Sequence, residues 1–123
     1  MALQESGEMY LETIYVLSQE SNEVRAIDVG AQLGYSKPSV SRALGLLKEE
    51  GLVRKSAEGF ICLTKAGEIL AERIYERHSL LTKLLIDIGV DEQTASEDAC
   101  RVEHYISEKT FEALKAHIKN RGA

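Results

Sequence analysis

Residues 27–52, IDVGAQLGYSKPSVSRALGLLKEEGL, decide the fold. Ala26 to Leu33 forms a short helical pattern in which Ile27, Val29 and Leu33 are apolar. Gly34-Tyr35 makes a turn, and a second helix starts at Ser36, whose hydroxyl suits an N-cap, with Pro38 tolerated in the first turn. Its apolar face is Val40, Leu44 and Leu47; its other face shows Lys37, Ser41, Arg42, Gly45 and Lys48. Two short helices around a glycine-containing turn, the second basic at its N-terminal end, match a helix-turn-helix. An ordinary helical hairpin with a solvated polar face is the plain alternative. The residues that follow argue against it. Glu50-Gly51 supplies a glycine stop, and Leu52–Lys55 and Phe60–Thr64 alternate as short strands around Ser56–Gly59. A hairpin directly after a recognition helix is a wing.

Outward from this core, Glu8 to Gln19 predicts a first helix, with Ser6 as its N-cap and Tyr10, Ile14 and Leu17 as its apolar stripe. Met9 and Glu12 share a different edge of it; taken alone, they are a core methionine and a solvated glutamate. Ser21-Asn22-Glu23 is a polar turn. Thr64 caps a long helix from about Ala66 through His78 toward Ile86. Its Ile69, Leu70, Ile74, Leu80, Leu81, Leu84 and Leu85 offer more apolar surface than one winged helix can cover, which predicts a helical dimer interface. Gly89 closes this segment. Asp91 caps a helix expected to reach Ile106, Ser107 begins a last helix to about Lys119, and residues 120–123 are expected to fray. The expected fold is mainly α with a small β-hairpin: a winged helix-turn-helix over residues 1–64, then a helical dimerisation domain over 65–123.

The chemistry concentrates in the later helix. Cys100, Glu103 and His104 stand at i, i+3 and i+4, so one helical face presents all three. A thiolate, a carboxylate and an imidazole converging there can hold a transition metal. The same spacing also suits a buried cysteine beside a solvated glutamate and a packed histidine. Cys62, in the second wing strand, has no second cysteine or histidine near it in sequence and suits a small apolar role; nothing suggests a disulfide scaffold.

The net charge of −5 argues at first against nucleic acid, but its distribution matters more. Residues 1–35 carry Glu5, Glu8, Glu12, Glu20, Glu23 and Asp28 against Arg25. Residues 36–55 carry Lys37, Arg42, Lys48, Arg54 and Lys55 against Glu49 and Glu50. A basic island in an acidic chain can face phosphates while the rest collects divalent cations. No apolar run approaches the ~18 residues of a membrane span. The opening Met1–Ser6 has neither the basic nor the apolar region of a signal peptide, so the expected location is cytoplasmic.

The helix-turn-helix with its wing, followed by Cys100-Arg101-Val102-Glu103-His104, resembles the diphtheria-toxin-repressor family of metal-dependent transcriptional regulators, with its manganese-transport-regulator branch. The resemblance runs from about Gly7 to Lys119. It implies a metal held by Met9, Cys100, Glu103 and His104, an iron-type set; the manganese branch has carboxylates where Met9 and Cys100 stand. Soft sulfur points to Fe²⁺ as the working ion, with Co²⁺, Ni²⁺ or Zn²⁺ as substitutes and Mn²⁺ as the alternative. It also implies a second, manganese-type pocket from Glu12 and His78, with Glu103 bridging. The iron-branch ancillary site is expected to be lost, since its other positions fall on Thr82 and Ser96. The short form without an SH3-like domain is the expected variant. On the DNA side it assigns Ser36, Pro38, Ser39, Ser41 and Arg42 to the recognition helix, with Arg42 replacing a glutamine of the iron-type pattern. Lys37, Lys48, Arg54 and Lys55 are the expected phosphate contacts. The implied function is metal-dependent repression of metal-homeostasis genes by a homodimer on a palindromic duplex operator.

Two other classes compete. A thiol-redox or small-molecule winged-helix regulator would use Cys100 without metal. A small metalloenzyme is disfavoured, because Met9 and Cys100 would fill positions that catalysis wants open, and no general-base constellation stands beyond the ligands.

Overall fold

The computed structural model describes residues 5–120, with side chains from Gly7 onward. Among the described residues six helices and one hairpin follow each other in the order α1 (Glu5–Glu20), α2 (Ala26–Leu33), α3 (Lys37–Glu49), β1 (Val53–Lys55), β2 (Ile61–Leu63), α4 (Lys65–Asp87), α5 (Glu92–Val102) and α6 (Glu108–Asn120). They form two compact units, the first ending at Glu72 and the second starting at Arg73. The mainly helical, winged helix-turn-helix architecture matches the sequence reading. Three details differ. Ser6 lies inside α1 rather than ahead of it, and its side chain is outside the described residues, as are Arg121, Gly122 and Ala123. Ile27, expected on an apolar face, is 76% exposed, so Val29 carries the burial of α2. And α5 stops at Val102, four residues short of the expected Ile106.

In the first unit the apolar spacing works as expected. Tyr10 and Ile14 of α1, Val29 of α2, and Val40, Leu44 and Leu47 of α3 are buried together with Val53 and Ile61 of the hairpin. The Tyr10 and Tyr35 rings meet at 5.8 Å. The turn between α2 and α3 needs glycine: Gly34 has φ +73°, and its N–H donates to Gly30 O at 2.8 Å. Ser36 then caps α3 by accepting from Ser39 N–H at 3.4 Å.

The wing is antiparallel, with Val53 opposite Leu63, Arg54 opposite Cys62 and Lys55 opposite Ile61. It is sewn to the helices because Ile61 N–H donates to Val24 O at 2.7 Å and the Arg25 guanidinium sits 5.0 Å over the Phe60 ring. Thr64 closes it: its hydroxyl donates to Gly51 O at 2.6 Å and accepts from Gly67 N–H at 3.0 Å, starting α4.

The second unit buries Ile74 and Leu81 of α4, Ala95 and Ala99 of α5, and Phe111 of α6. Asp91 caps α5 by accepting from Thr94 N–H at 3.0 Å, and that bond holds its carboxyl below the usual range. Ser107 caps α6 by accepting from Thr110 N–H at 3.1 Å. Among the described residues no helix is long and apolar enough to cross a membrane.

Candidate metal centre and nucleic-acid interface

Two alanines, Ala95 and Ala99, let α5 lie close against its unit, and Cys100 follows at the half-buried edge. The helix ends two residues later, yet the cluster survives the ending. Glu103, the C-cap, keeps right-handed dihedrals (φ −60°, ψ −27°) and donates its N–H to Ala99 O at 2.9 Å. Tyr105 and Ile106 both donate to Val102 O at 3.0 Å, so the turn stays tight through His104. As a result one donor atom each of Cys100, Glu103 and His104 lie within 4.8 Å of one another. Two donors on opposite sides of one transition ion stand about 4–4.6 Å apart.

Glu103 is not the solvated glutamate of the plain reading. It is 1% exposed, the one buried charged residue among those described. A buried carboxylate is costly unless partnered. Its Oε2 lies 2.9 Å from His78 Nδ1, and its Oε1 lies 3.2 Å from His104 Nε2. The other nitrogen of His78, Nε2, faces Ser96 Oγ at 3.5 Å. One carboxylate thus joins two imidazoles. Oxygen, nitrogen and sulfur donors with so little solvent around them fit a divalent transition ion.

Of the other expected ligands, Met9 and Glu12 sit three residues apart on α1 of the first unit, both half-buried. Thr82 and Ser96, the positions at which the ancillary site was expected to be lost, occupy α4 and α5, and Ser96 Oγ lies 3.5 Å from His78 Nε2.

A residue that sequence reasoning missed stands next to His78. Arg77 is 17% exposed, donates to both Glu103 O and Ile106 O at 3.2 Å, and pairs with Glu108 Oε2 at 2.5 Å. Arg77, with Arg73 beside it, holds the Glu108 carboxyl below the usual range. Nothing in sequence spacing marks these carbonyl contacts, because backbone acceptors carry no residue identity.

The basic island of the first unit is on the surface. Lys37, Pro38, Ser41, Arg42 and Lys48 of α3 are exposed, as are Ser36 before it and Arg54 and Lys55 on β1; Ser39 is half-buried. Between α3 and the wing lies a cleft of about 250 Å³ bordered by Ser41, Gly45, Lys48, Arg54 and Lys55. Lys48 of α3 and Arg54 and Lys55 of the wing border this groove, while Lys37 and Arg42 lie on the exposed surface of α3.

Residues 2–59 match the family model described as iron dependent repressor, N-terminal DNA binding domain, and residues 64–121 match iron dependent repressor, metal binding and dimerisation domain. The chain is 36% identical to the transcriptional regulator MntR of Escherichia coli over 93% of its own length and 74% of that protein. It is 33% identical to the iron-dependent repressor IdeR of Mycobacterium tuberculosis, covering 96% of this chain and 52% of the relative. Among solved structures, the manganese regulator SloR superposes with a TM-score of 0.82 at 29% identity, over 97% of this chain and 55% of that one.

Proposed function

From a chain that belongs to the iron-dependent repressor family, whose members are metal-dependent transcriptional repressors, we propose an Fe²⁺-responsive DNA-binding repressor of metal-homeostasis genes. In this reading it acts in the cytoplasm as a homodimer on a palindromic duplex operator, and it is not an enzyme. The observation that carries the reading is the Cys100, Glu103 and His104 cluster, with donor atoms within 4.8 Å and a buried carboxylate at its centre.

Bound Fe²⁺ would supply the positive charge that this carboxylate and a Cys100 thiolate are suited to meet. Cys100 and Met9 provide sulfur, Glu103 oxygen and His104 nitrogen; Glu12 and His78 form the second pocket with Glu103. Because these ligands come from both units of the chain, metal occupancy and operator affinity are linked, by about 1–3 kcal/mol in typical regulators. Sulfur favours Fe²⁺ over Mn²⁺. The similarity to MntR, together with Glu12 and His78, supports manganese as the second reading.

The test uses a duplex selected from a random library by the metal-loaded protein. Under anaerobic conditions, affinity for that duplex should rise at least about fivefold with Fe²⁺ and fall again with chelator. A stronger response to Mn²⁺ than to Fe²⁺ would select the manganese reading. Equal binding with ion and with chelator would leave Cys100 as a redox sensor on a metal-free regulator.

The basic groove makes its own expectation. Arg42→Ala should relax base preference by about 1–3 kcal/mol at one guanine, because arginine reads guanine in the major groove. Lys55→Ala should weaken all sequences alike and lower the salt slope by about one. Library selection with each variant checks this; an unchanged preference in Arg42→Ala removes that residue from base readout.

A further inference from the structure

We propose that Arg77 is a positioning residue for the metal centre, clamping the backbone on both sides of His104 so that Cys100, Glu103 and His104 are held together before any ion arrives. The proposal rests on the metal reading above and adds to it a residue that donates no ligand atom.

The geometry is specific. One guanidinium nitrogen, Nη1, donates to Glu103 O and to Ile106 O, both at 3.2 Å. These two carbonyls bracket His104 and Tyr105. They belong to the end of α5 and the turn after it, where carbonyls have lost their helical partners. The other nitrogen, Nη2, pairs with Glu108 in the first turn of α6. The guanidinium plane lies 5.4 Å from the centre of the buried Phe111 ring, which limits its movement. Arg77 therefore joins three helices through one rigid group.

Its neighbour completes the arrangement. His78 meets the Glu103 carboxylate while Arg77 meets the Glu103 carbonyl, so consecutive residues of α4 hold both ends of Glu103. Lysine could not substitute fully. An ammonium is a point charge on a flexible stem, whereas the planar fork serves two carbonyls and a carboxylate at fixed angles.

The probe is Co²⁺, which reports its own site through thiolate absorption from Cys100. Arg77→Gln should weaken Co²⁺ affinity about 10–100-fold, the usual effect of losing an outer-shell partner, and alter the thiolate band. In the metal-free protein the same substitution should speed hydrogen exchange at the Tyr105 and Ile106 amides. Arg77→Lys should fall between wild type and Arg77→Gln. Lys115→Gln serves as the structural control: it breaks the 2.9 Å Lys115–Glu76 pair, also between α4 and α6, and should keep wild-type affinity.

If Arg77→Gln fails to fold, Arg77→Lys decides alone. Wild-type Co²⁺ affinity and exchange in the Arg77 variants would overturn the proposal, and so would an equal loss in Lys115→Gln. A wild-type chain that shows no thiolate band with Co²⁺ overturns the metal reading itself, before any variant is compared.

Discussion

Replacing Glu103 by Gln should weaken metal binding by at least about 100-fold, or ~2.7 kcal/mol, and abolish the metal response of operator binding. The side chain keeps its volume and its capacity for hydrogen bonds, so the fold should tolerate the change. What disappears is the negative charge at the point where two imidazoles converge, 2.9 Å from His78 and 3.2 Å from His104. In a site this dry, a carboxylate ligand is worth far more than on the surface, where ion pairs contribute about 0–1 kcal/mol. Asp98→Asn makes the comparison, since Asp98 pairs with Arg101 on the open side of the same helix. Competition titration with Co²⁺ should show Asp98→Asn unchanged. Wild-type affinity in Glu103→Gln would take Glu103 out of the ligand set.

Gly67→Ala should lose about 3 kcal/mol or more of stability, although it places alanine in a helix. On propensity alone the change would gain about 1 kcal/mol. Here the added Cβ would overlap the Leu52 carbonyl oxygen and lie 2.9 Å from its carbon. Both neighbours are backbone, so no side chain can rotate away. Relief would require moving the Leu52 carbonyl, which accepts from Thr64 N–H at 3.0 Å and so closes the wing. Overpacking usually costs about 1–3 kcal/mol, and a backbone obstacle belongs at the upper end. Thermal unfolding followed by circular dichroism should show a drop of about 10 °C or more. Stability within about 0.5 kcal/mol of wild type would mean that α4 and Leu52 are less close than described.

These two residues mark the division between what the sequence made legible and what it did not. The helix from Ala26 to Leu33 agrees with the structure to the residue, because its pattern, Gly34 and Ser36 are all local signals. The wing was readable from a glycine stop and two alternating runs. The grouping of Cys100, Glu103 and His104 was readable from spacing, even though the helix ends at Val102, because the turn that follows keeps helical dihedrals at Glu103. Leu11 was missed: it stands three residues before Ile14 on the same side of α1, widening the Tyr10, Ile14 and Leu17 stripe, and is fully buried. Nothing in the sequence around Gly67 marks its close approach to the Leu52 carbonyl, because that contact is set by tertiary packing. The inward turn of Glu103 and the reach of Arg77 to two carbonyls are tertiary facts, set by packing within the second unit and not by periodicity.

Every helix after the first opens with a hydrogen bond spanning three residues: Arg25 N–H to Asp28, Ser39 N–H to Ser36, Gly67 N–H to Thr64, Thr94 N–H to Asp91 and Thr110 N–H to Ser107. Each of these starts is written in four consecutive residues, so the boundary of each helix is specified locally, although the first turn still costs entropy that packing must offset. The caps fix where each helix begins, while burial of its apolar face decides whether it persists. The slower steps of folding are then the pairing of the small wing and the docking of α4 against Leu52, where the contacts first become distant along the chain. Because each cap is local, a substitution at Ser36, Thr64, Asp91 or Ser107 should shift or fray one helix start and leave the other helix boundaries in place.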